Sequence, residues 1–191
     1  MDAERPCVNA RMSFSYGEKH IYEAREQERG FMAEKFIVGI IVSNHFGVLN
    51  RVAGLYAKRG YNIDSLAVGE TEDPSYSRMT IVSTGDEYMK SQVLKQLSKL
   101  HDVKMVVLLD KDSAVSIEHM LIKLKLGKES KTTISDLIND YGGNVMDFAD
   151  DFITAEISGT SEKIERFIEA TKKIGILEVC RSGLISLKQG L

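Results

Sequence analysis

The sequence predicts an α+β chain made of two tandem βαββαβ units. Three observations carry that expectation. Strand-like and helix-like hydrophobic periods alternate from Phe36 onward. The order strand, helix, strand, strand, helix, strand can be read twice. Landmarks also recur: Arg59-Gly60-Tyr61-Asn62-Ile63 resembles Tyr141-Gly142-Gly143-Asn144-Val145 at an offset of 82, and Thr84-Gly85-Asp86 resembles Ser158-Gly159-Thr160 at an offset of 74. The Glu70 to Ser77 loop, replaced by a tight turn at Asp150, is taken to account for the eight residues lost between the landmarks.

Residues 1 to 34 stand apart. They are rich in Glu and Arg, show no sustained period, and read as a mobile arm or as sequence upstream of a true start near Met32, with a short helix possible around His20 to Arg29. The first unit, 35–111, opens on an apolar strand from Phe36 to Val42. A helix after Gly47 carries Val48, Leu49, Val52, Leu55 and Tyr56 on one face, and Gly60 stops it. A strand near Asn62 to Val68 follows, then a loop with Asp73-Pro74-Ser75 and a strand from Arg78 to Thr84. Asp86 suits an N-cap for a helix striped by Met89, Val93, Leu97 and Leu100, and a strand from Val103 to Leu109 closes the unit.

The second unit, 112–191, repeats the order. A strand near His119 to Leu126 puts Met120, Ile122, Leu124 and Leu126 on one side. A helix carries Ile134, Leu137, Ile138 and Tyr141 and stops at Gly142. Two strands flank the Asp150-Asp151 turn, a helix after Thr160-Ser161 carries Ile164, Phe167, Ile168 and Thr171, and a last strand runs from about Leu177 to Leu187. Units this small bury roughly 60% of their chain surface, so a homo-oligomer that covers a remaining sheet face or edge is expected.

Composition excludes several classes. The longest apolar run, Phe36 to Val42, is far short of the ~18 residues of a membrane span, and the acidic first residues suit neither a signal nor a transit peptide. A net charge of −3 with interleaved signs gives no field for phosphate backbones, so no nucleic-acid partner is expected. Cys7 and Cys180 are far apart and lack metal-ligand spacing, and a cytoplasmic protein is the simplest reading.

No catalytic constellation is legible. His20, His45, His101 and His119 sit in four separate places, and the GxSxG, GxxxxGK[ST] and strand-linked GxGxxG patterns are missing. Asp150 and Asp151 read as turn residues, and a lone His45 near a helix start as structural or solvated. We therefore assign no catalytic residue and no metal ligand.

One stretch stands out, Ser43-Asn44-His45-Phe46-Gly47-Val48-Leu49, between the first strand and the first helix. A helix start offers unpaired backbone N–H groups and a positive dipole end, and glycine lets a ligand approach the backbone. That suits a small carboxylate. Asn44 adds an amide able to meet both an ammonium and a carboxylate, and Val48 and Leu49 offer an apolar wall. The alternative is that Asn44 caps the helix and Gly47 makes the turn.

The stretch NHFGVLNRVAGLYAKRGYNIDSLAVGETEDPSYSRMTIVSTGD, Asn44 to Asp86, closely resembles the opening of the small regulatory subunits of acetohydroxyacid (acetolactate) synthase. The best-matching pieces are Gly47-Val48-Leu49, Arg51, Arg59-Gly60-Tyr61-Asn62-Ile63, Ser65-Leu66 and Ser77-Arg78-Met79-Thr80-Ile81. A weaker likeness continues through Ser158-Gly159-Thr160 to Arg181-Ser182-Gly183, so it covers nearly everything after Phe36. The resemblance implies two tandem ferredoxin-like domains, an N-terminal ACT domain and a C-terminal ACT-like one. It implies a homodimer through the ACT domains, with effector sites where the strand-to-helix loop of one chain meets the Arg-Gly-Tyr-Asn-Ile segment of the other. Carried over, the effector-binding residues are Asn44, Gly47, Val48 and Leu49, faced by Asn62 and Ile63. It further implies valine or another branched-chain amino acid as effector and the large catalytic subunit as partner. Thiamine diphosphate, FAD and Mg are expected on that partner and none on this chain. Two departures matter: the arm before Met32 is outside the family pattern, and His45-Phe46 replaces smaller or more polar residues.

Three rival readings compete with this one. A free-standing amino-acid-binding ACT protein fits poorly with the Ser-Arg-Met-Thr-Ile segment and the second repeat. An RNA-binding module of the same strand order needs aromatics on a central strand and a basic surface, which Arg78 to Thr84 and the acidic balance do not give. An enzyme in its own right lacks a nucleophile, base or metal set.

Overall fold

The segment Phe36-Ile37-Val38-Gly39-Ile40-Ile41-Val42 has no polar side chain, so a strand formed from it must be covered on both faces. The computed structural model, which describes residues 33–110, 112–127 and 131–190, places it at the centre of the first sheet. Residues 1–32 of the arm, Cys7 and the helix considered around His20 to Arg29 lie outside the described residues, and Glu34 is already the first residue of a strand.

The first unit is β1 (Glu34–Ser43), α1 (Val48–Lys58), β2 (Ser65–Glu70), β3 (Tyr76–Gly85), α2 (Glu87–Leu97) and β4 (Val103–Leu109). The second is β5 (Ala114–Lys125), α3 (Lys131–Asp140), β6 (Asn144–Phe148), β7 (Phe152–Gly159), α4 (Ser161–Thr171) and β8 (Ile176–Lys188). The sheets are antiparallel, with orders β2-β3-β1-β4 and β6-β7-β5-β8, which is the ferredoxin-like arrangement twice over.

The helices cover one face of each sheet because their apolar residues recur at three- or four-residue spacing. Val48, Val52 and Tyr56 of α1 and Met89, Val93 and Leu97 of α2 close on Phe36, Val38, Ile40 and Val42 of β1. In the second unit Ile134 and Ile138 of α3 and Ile164 and Phe167 of α4 close on Met120, Ile122 and Leu124 of β5. Each fully buried aliphatic or aromatic side chain contributes roughly 1.5–3 kcal/mol.

The duplication extends to hydrogen bonds. Helix α1 ends with Gly60 N–H donating to Ala57 O at 3.1 Å and Tyr61 N–H to Tyr56 O at 3.0 Å; α3 ends with Gly142 N–H donating to Asn139 O at 2.8 Å and Gly143 N–H to Ile138 O at 2.9 Å. Gly60 and Gly142 take φ of +66° and +60°, the left-handed turn that favours glycine. At the start of α2 the Asp86 carboxylate accepts from Met89 N–H at 2.7 Å, and at the start of α4 the Thr160 hydroxyl accepts from Lys163 N–H at 3.3 Å. The eight-residue difference, however, is not confined to the hairpin loop. Three of those residues, Asn62 to Asp64, precede β2, whereas β6 begins directly at Asn144; three more are lost from shorter strands and two from the loop. Asn62 to Asp64 stay out of the strand expected there because their polar groups are used locally: Asn62 Nδ2 donates to Asp64 Oδ1 at 2.6 Å, and Thr84 Oγ1 to Asp64 Oδ2 at 2.6 Å.

Strands β5 and β8 outrun their own sheet. Strand β5 pairs with β7 only from Glu118 onward, but with β8 from Ala114, leaving a two-stranded ribbon beyond the sheet. This ribbon lies on the helix-free face of the first sheet, where Ile37, Val82, Leu109 and Ala114 are buried together and Leu184 packs against them. Leu184 N–H donates to Ser65 Oγ at 3.0 Å and Arg78 Nη2 to Ser186 O at 3.2 Å. Gly183, at φ +77°, sits so close that a Cβ there would stand 2.6 Å from Ser65 Oγ. The opposite side of the ribbon keeps Val115 opposite Leu187 and Ile117 opposite Ile185, all exposed.

The cap of α2 yields a direct test. Asp86→Ala leaves the Met89 N–H without its acceptor and is expected to lower stability by about 1 kcal/mol, read from urea unfolding.

Candidate functional site

The loop between β1 and α1 turns on Gly47, at φ +86° and ψ −7°. That conformation costs an L-residue about 1–2 kcal/mol, so glycine is the residue that makes the turn cheaply. Gly47 is itself the N-cap of α1, and no side chain caps this helix; its first turn carries no acidic residue. The start of α1 therefore presents backbone donors and a positive dipole end with no counter-charge from its own first turn.

Asn44 does not cap the helix, which removes that half of the structural alternative. Its amide Nδ2 donates to Glu70 Oε1 and to Pro74 O, both at 3.0 Å, and its N–H donates to Ser75 O at 2.7 Å. Asn44 thus braces the loop against the β2–β3 hairpin. Val48 is 3% exposed and belongs to the core, so toward the loop it offers its backbone. Leu49 is 45% exposed and is the aliphatic surface beside Gly47, while Phe46 stands out at 99% exposure.

Asn62 and Ile63 lie at the far end of α1. Eleven helical residues at 1.5 Å each separate them from Gly47 by roughly 16 Å, so a single chain does not bring the six residues together. Ile63 packs on the first core, and Asn62 is exposed.

A second brace escapes local sequence patterns. Asp102, in the turn between α2 and β4, is 8% exposed. Its carboxylate accepts from the Arg51 guanidinium and faces His45 Nε2 at 3.1 Å, while its carbonyl accepts from Ser43 N–H at 2.8 Å. One buried residue thus ties the end of β1, the loop and the first turn of α1. Asp102 and His45 are 57 positions apart, and no motif links them. The Arg51 hydrogen bond holds the Asp102 carboxyl below its ordinary 3.8, against the opposing effect of desolvation. A lowered folded-state pKa gives stability that is present above the unfolded value and is lost as pH falls through the folded one. The stability gap between the wild type and Asp102→Asn is therefore expected to be full at pH 7 and to close on acidification below about pH 4, as measured by urea unfolding at each pH.

Other chemistry-bearing groups among the described residues meet away from this loop. Ser158 Oγ and His119 Nδ1 are 2.6 Å apart, and His119 Nε2 is 3.7 Å from Glu156 Oε2. The three stand on β5 and β7, and none of them lines the cleft between the two units. Among the described residues no group of three or more His, Cys, Asp or Glu is placed to hold a metal ion. No helix among them is long and apolar enough to cross a membrane. Cys180 is free and exposed on β8.

Comparison with known proteins bears on this arrangement. Residues 38–105 match the family model described as an AHAS small subunit-like ACT domain, and residues 117–190 match the model described as the small subunit of acetolactate synthase. The chain is 39% identical over 155 residues to a probable acetolactate synthase small subunit of Methanothermobacter thermautotrophicus, covering 81% of this chain and 92% of the relative. It is 37% identical over 155 residues to the acetolactate synthase isozyme 3 small subunit of Salmonella typhimurium, covering 81% and 95%. Among solved structures, the acetolactate synthase small subunit from Thermotoga maritima superposes with a TM-score of 0.77 at 32% identity, covering 83% of this chain and 99% of that one.

Proposed function

Because the chain belongs to the family of acetolactate synthase small subunits, we propose that it activates the catalytic subunit of that synthase and makes it sensitive to feedback inhibition by valine or another branched-chain amino acid. The work is done in the cytoplasm, within the biosynthesis of valine, leucine and isoleucine. The chain itself turns over no substrate; thiamine diphosphate, FAD and Mg belong to the catalytic partner.

The observation that carries the effector reading is the uncapped start of α1 at Gly47. An effector carboxylate is stabilised there by backbone N–H groups and the helix dipole. The exposed Leu49 side chain meets its aliphatic part. The residues expected to face this loop, Asn62 and Ile63, sit roughly 16 Å away in the same chain, so they complete a site only when supplied by a second copy. That separation supports a homodimer through the ACT domains, with two effector sites related by symmetry.

The decisive experiment mixes the chain with its catalytic subunit and follows pyruvate condensation with and without valine. Expected are no turnover by the chain alone, a raised rate for the complex, and loss of the increase when valine is added. Pyruvate turnover by the purified chain alone, or a complex no faster than the catalytic subunit, would overturn the reading.

A further inference from the structure

Between the two units lies a cleft of about 810 Å³, within the size range of small-ligand sites. Its apolar part comes from Ile37, Leu66 and Val82 of the first unit and Leu184 of the second. Its polar part is centred on Arg181 of β8. Glu118, whose side chain is 5% exposed, holds the inner edge of this guanidinium through Nε and Nη2; the latter contact is 2.8 Å. Glu165 of α4 holds the outer edge, accepting from Nη1 at 2.6 Å, and its side chain is 61% exposed.

We propose that this cleft binds a small aliphatic amino acid, inserted as a zwitterion between Arg181 and Glu165. The inner pair with Glu118 is buried and stays closed. The outer pair is exposed, and an exposed ion pair contributes little, so opening it is cheap. A carboxylate alone would take Arg181 and leave Glu165 facing it as a like charge. An ammonium alone would take Glu165 and strip the outer edge of Arg181. A zwitterion satisfies both: its carboxylate accepts from Arg181 Nη1, its ammonium donates to Glu165, and one ion pair becomes two. The side chain then lies on Ile37, Val82 and Leu184, which need an aliphatic rather than a polar body. Asp64, also on the cleft wall, already accepts from Asn62 and Thr84, one donor on each oxygen, whereas Glu165 faces Arg181 across the outer pair that opens, so Glu165 is the ammonium partner. None of the Gly47 loop residues lines the cleft, so this site is separate from the effector loop. A ligand here touches both units and stabilises their present orientation.

The test is methyl NMR on the full chain with L-leucine as probe. Alongside it run 4-methylpentanoate, which lacks the ammonium, and 3-methylbutylamine, which lacks the carboxylate. Methyl signals of Ile37, Val82 and Leu184 report the cleft, and those of Leu49 report the loop. Leucine is expected to shift the cleft methyls saturably, with each half-ligand about tenfold weaker for the loss of one charge-assisted contact. Glu165→Gln, an exposed change that leaves Glu118 paired, is expected to weaken leucine at the cleft by about the same factor while the Leu49 response is unchanged. Cleft methyls that stay still while Leu49 responds overturn this site and leave the loop reading intact. Equal shifts from leucine and its two halves, or an unaltered affinity in Glu165→Gln, overturn it as well.

Discussion

Arg181→Met will cost the folded chain about 3–5 kcal/mol, a large share of a typical domain stability of about 5–15 kcal/mol. The reason is not a lost surface contact. Glu118 is buried, and its only cationic partner among the described residues is Arg181, which donates Nε and Nη2 to it, with Ser161 Oγ farther off at 3.4 Å. Without the guanidinium, a carboxylate is left in the domain wall uncompensated or has to take up a proton. The same hydrogen bonds hold Arg181 still more firmly protonated than an ordinary arginine. Two companions sharpen the test. Glu165→Gln breaks only the exposed arm of the pair and is expected to cost less than ~1 kcal/mol. Pairing Arg181→Met with Glu118→Leu is expected to recover most of the loss, because no buried charge remains. Urea midpoints of the four proteins decide it: a small effect of Arg181→Met, or no recovery in the double variant, removes the burial argument.

Gly47→Asp is expected to weaken effector binding by about ten- to a hundredfold, from roughly 1.5–3 kcal/mol for opposing one charge-assisted hydrogen bond. An aspartate at the start of α1 places a negative charge where the effector carboxylate is received. A sequence-only view has the fold tolerate this substitution because acidic residues suit helix N-termini. The observed φ of +86° changes that expectation: any L-residue here also pays backbone strain of about 1–2 kcal/mol. Gly47→Asn separates the two effects, since it has nearly the same shape and strain without the charge. Calorimetry with valine should place Gly47→Asn between the wild type and Gly47→Asp, with the Asn-to-Asp step reporting the charge. Asn62→Ala, at the other side of the proposed dimer pocket, is expected to weaken valine by up to about tenfold. Unchanged valine affinity in all three variants puts the pocket elsewhere.

The fold was legible because its signals are short-range and repeated. Four-residue apolar spacing in Val48-Val52-Tyr56 and Met89-Val93-Leu97, glycine stops at Gly60 and Gly142, and caps at Asp86 and Thr160 each need only a few neighbouring residues. Where sequence reasoning fell short, the missing information was tertiary. Strand β2 starts later than its apolar pattern suggests because the Asn62, Asp64 and Thr84 side chains satisfy one another first. Of the candidate site, Gly47 was readable from its place between strand and helix. The work of Asn44 was not, because its partners Glu70 and Pro74 are 26 and 30 residues away. Asp102 left no local trace at all. A carboxylate that receives an arginine and a histidine from distant elements is visible only once the sheet has brought the ends of β1 and α2 together.

The ribbon of β5 and β8 sets a timetable for synthesis. Chains fold broadly from the N-terminus as they leave the ribosome. The helical side of the first sheet can close once β4 has emerged, at Leu109. Its other side cannot. Ile37, Val82 and Leu109 wait for Leu184, which lies on β8, the last strand of the second unit. Throughout elongation of the second unit, the nascent chain therefore carries a finished half with one sticky face. Chaperone demand should peak in that interval, and a ribosome stalled before β8 should release a product that aggregates although its first unit contains every residue of its own core.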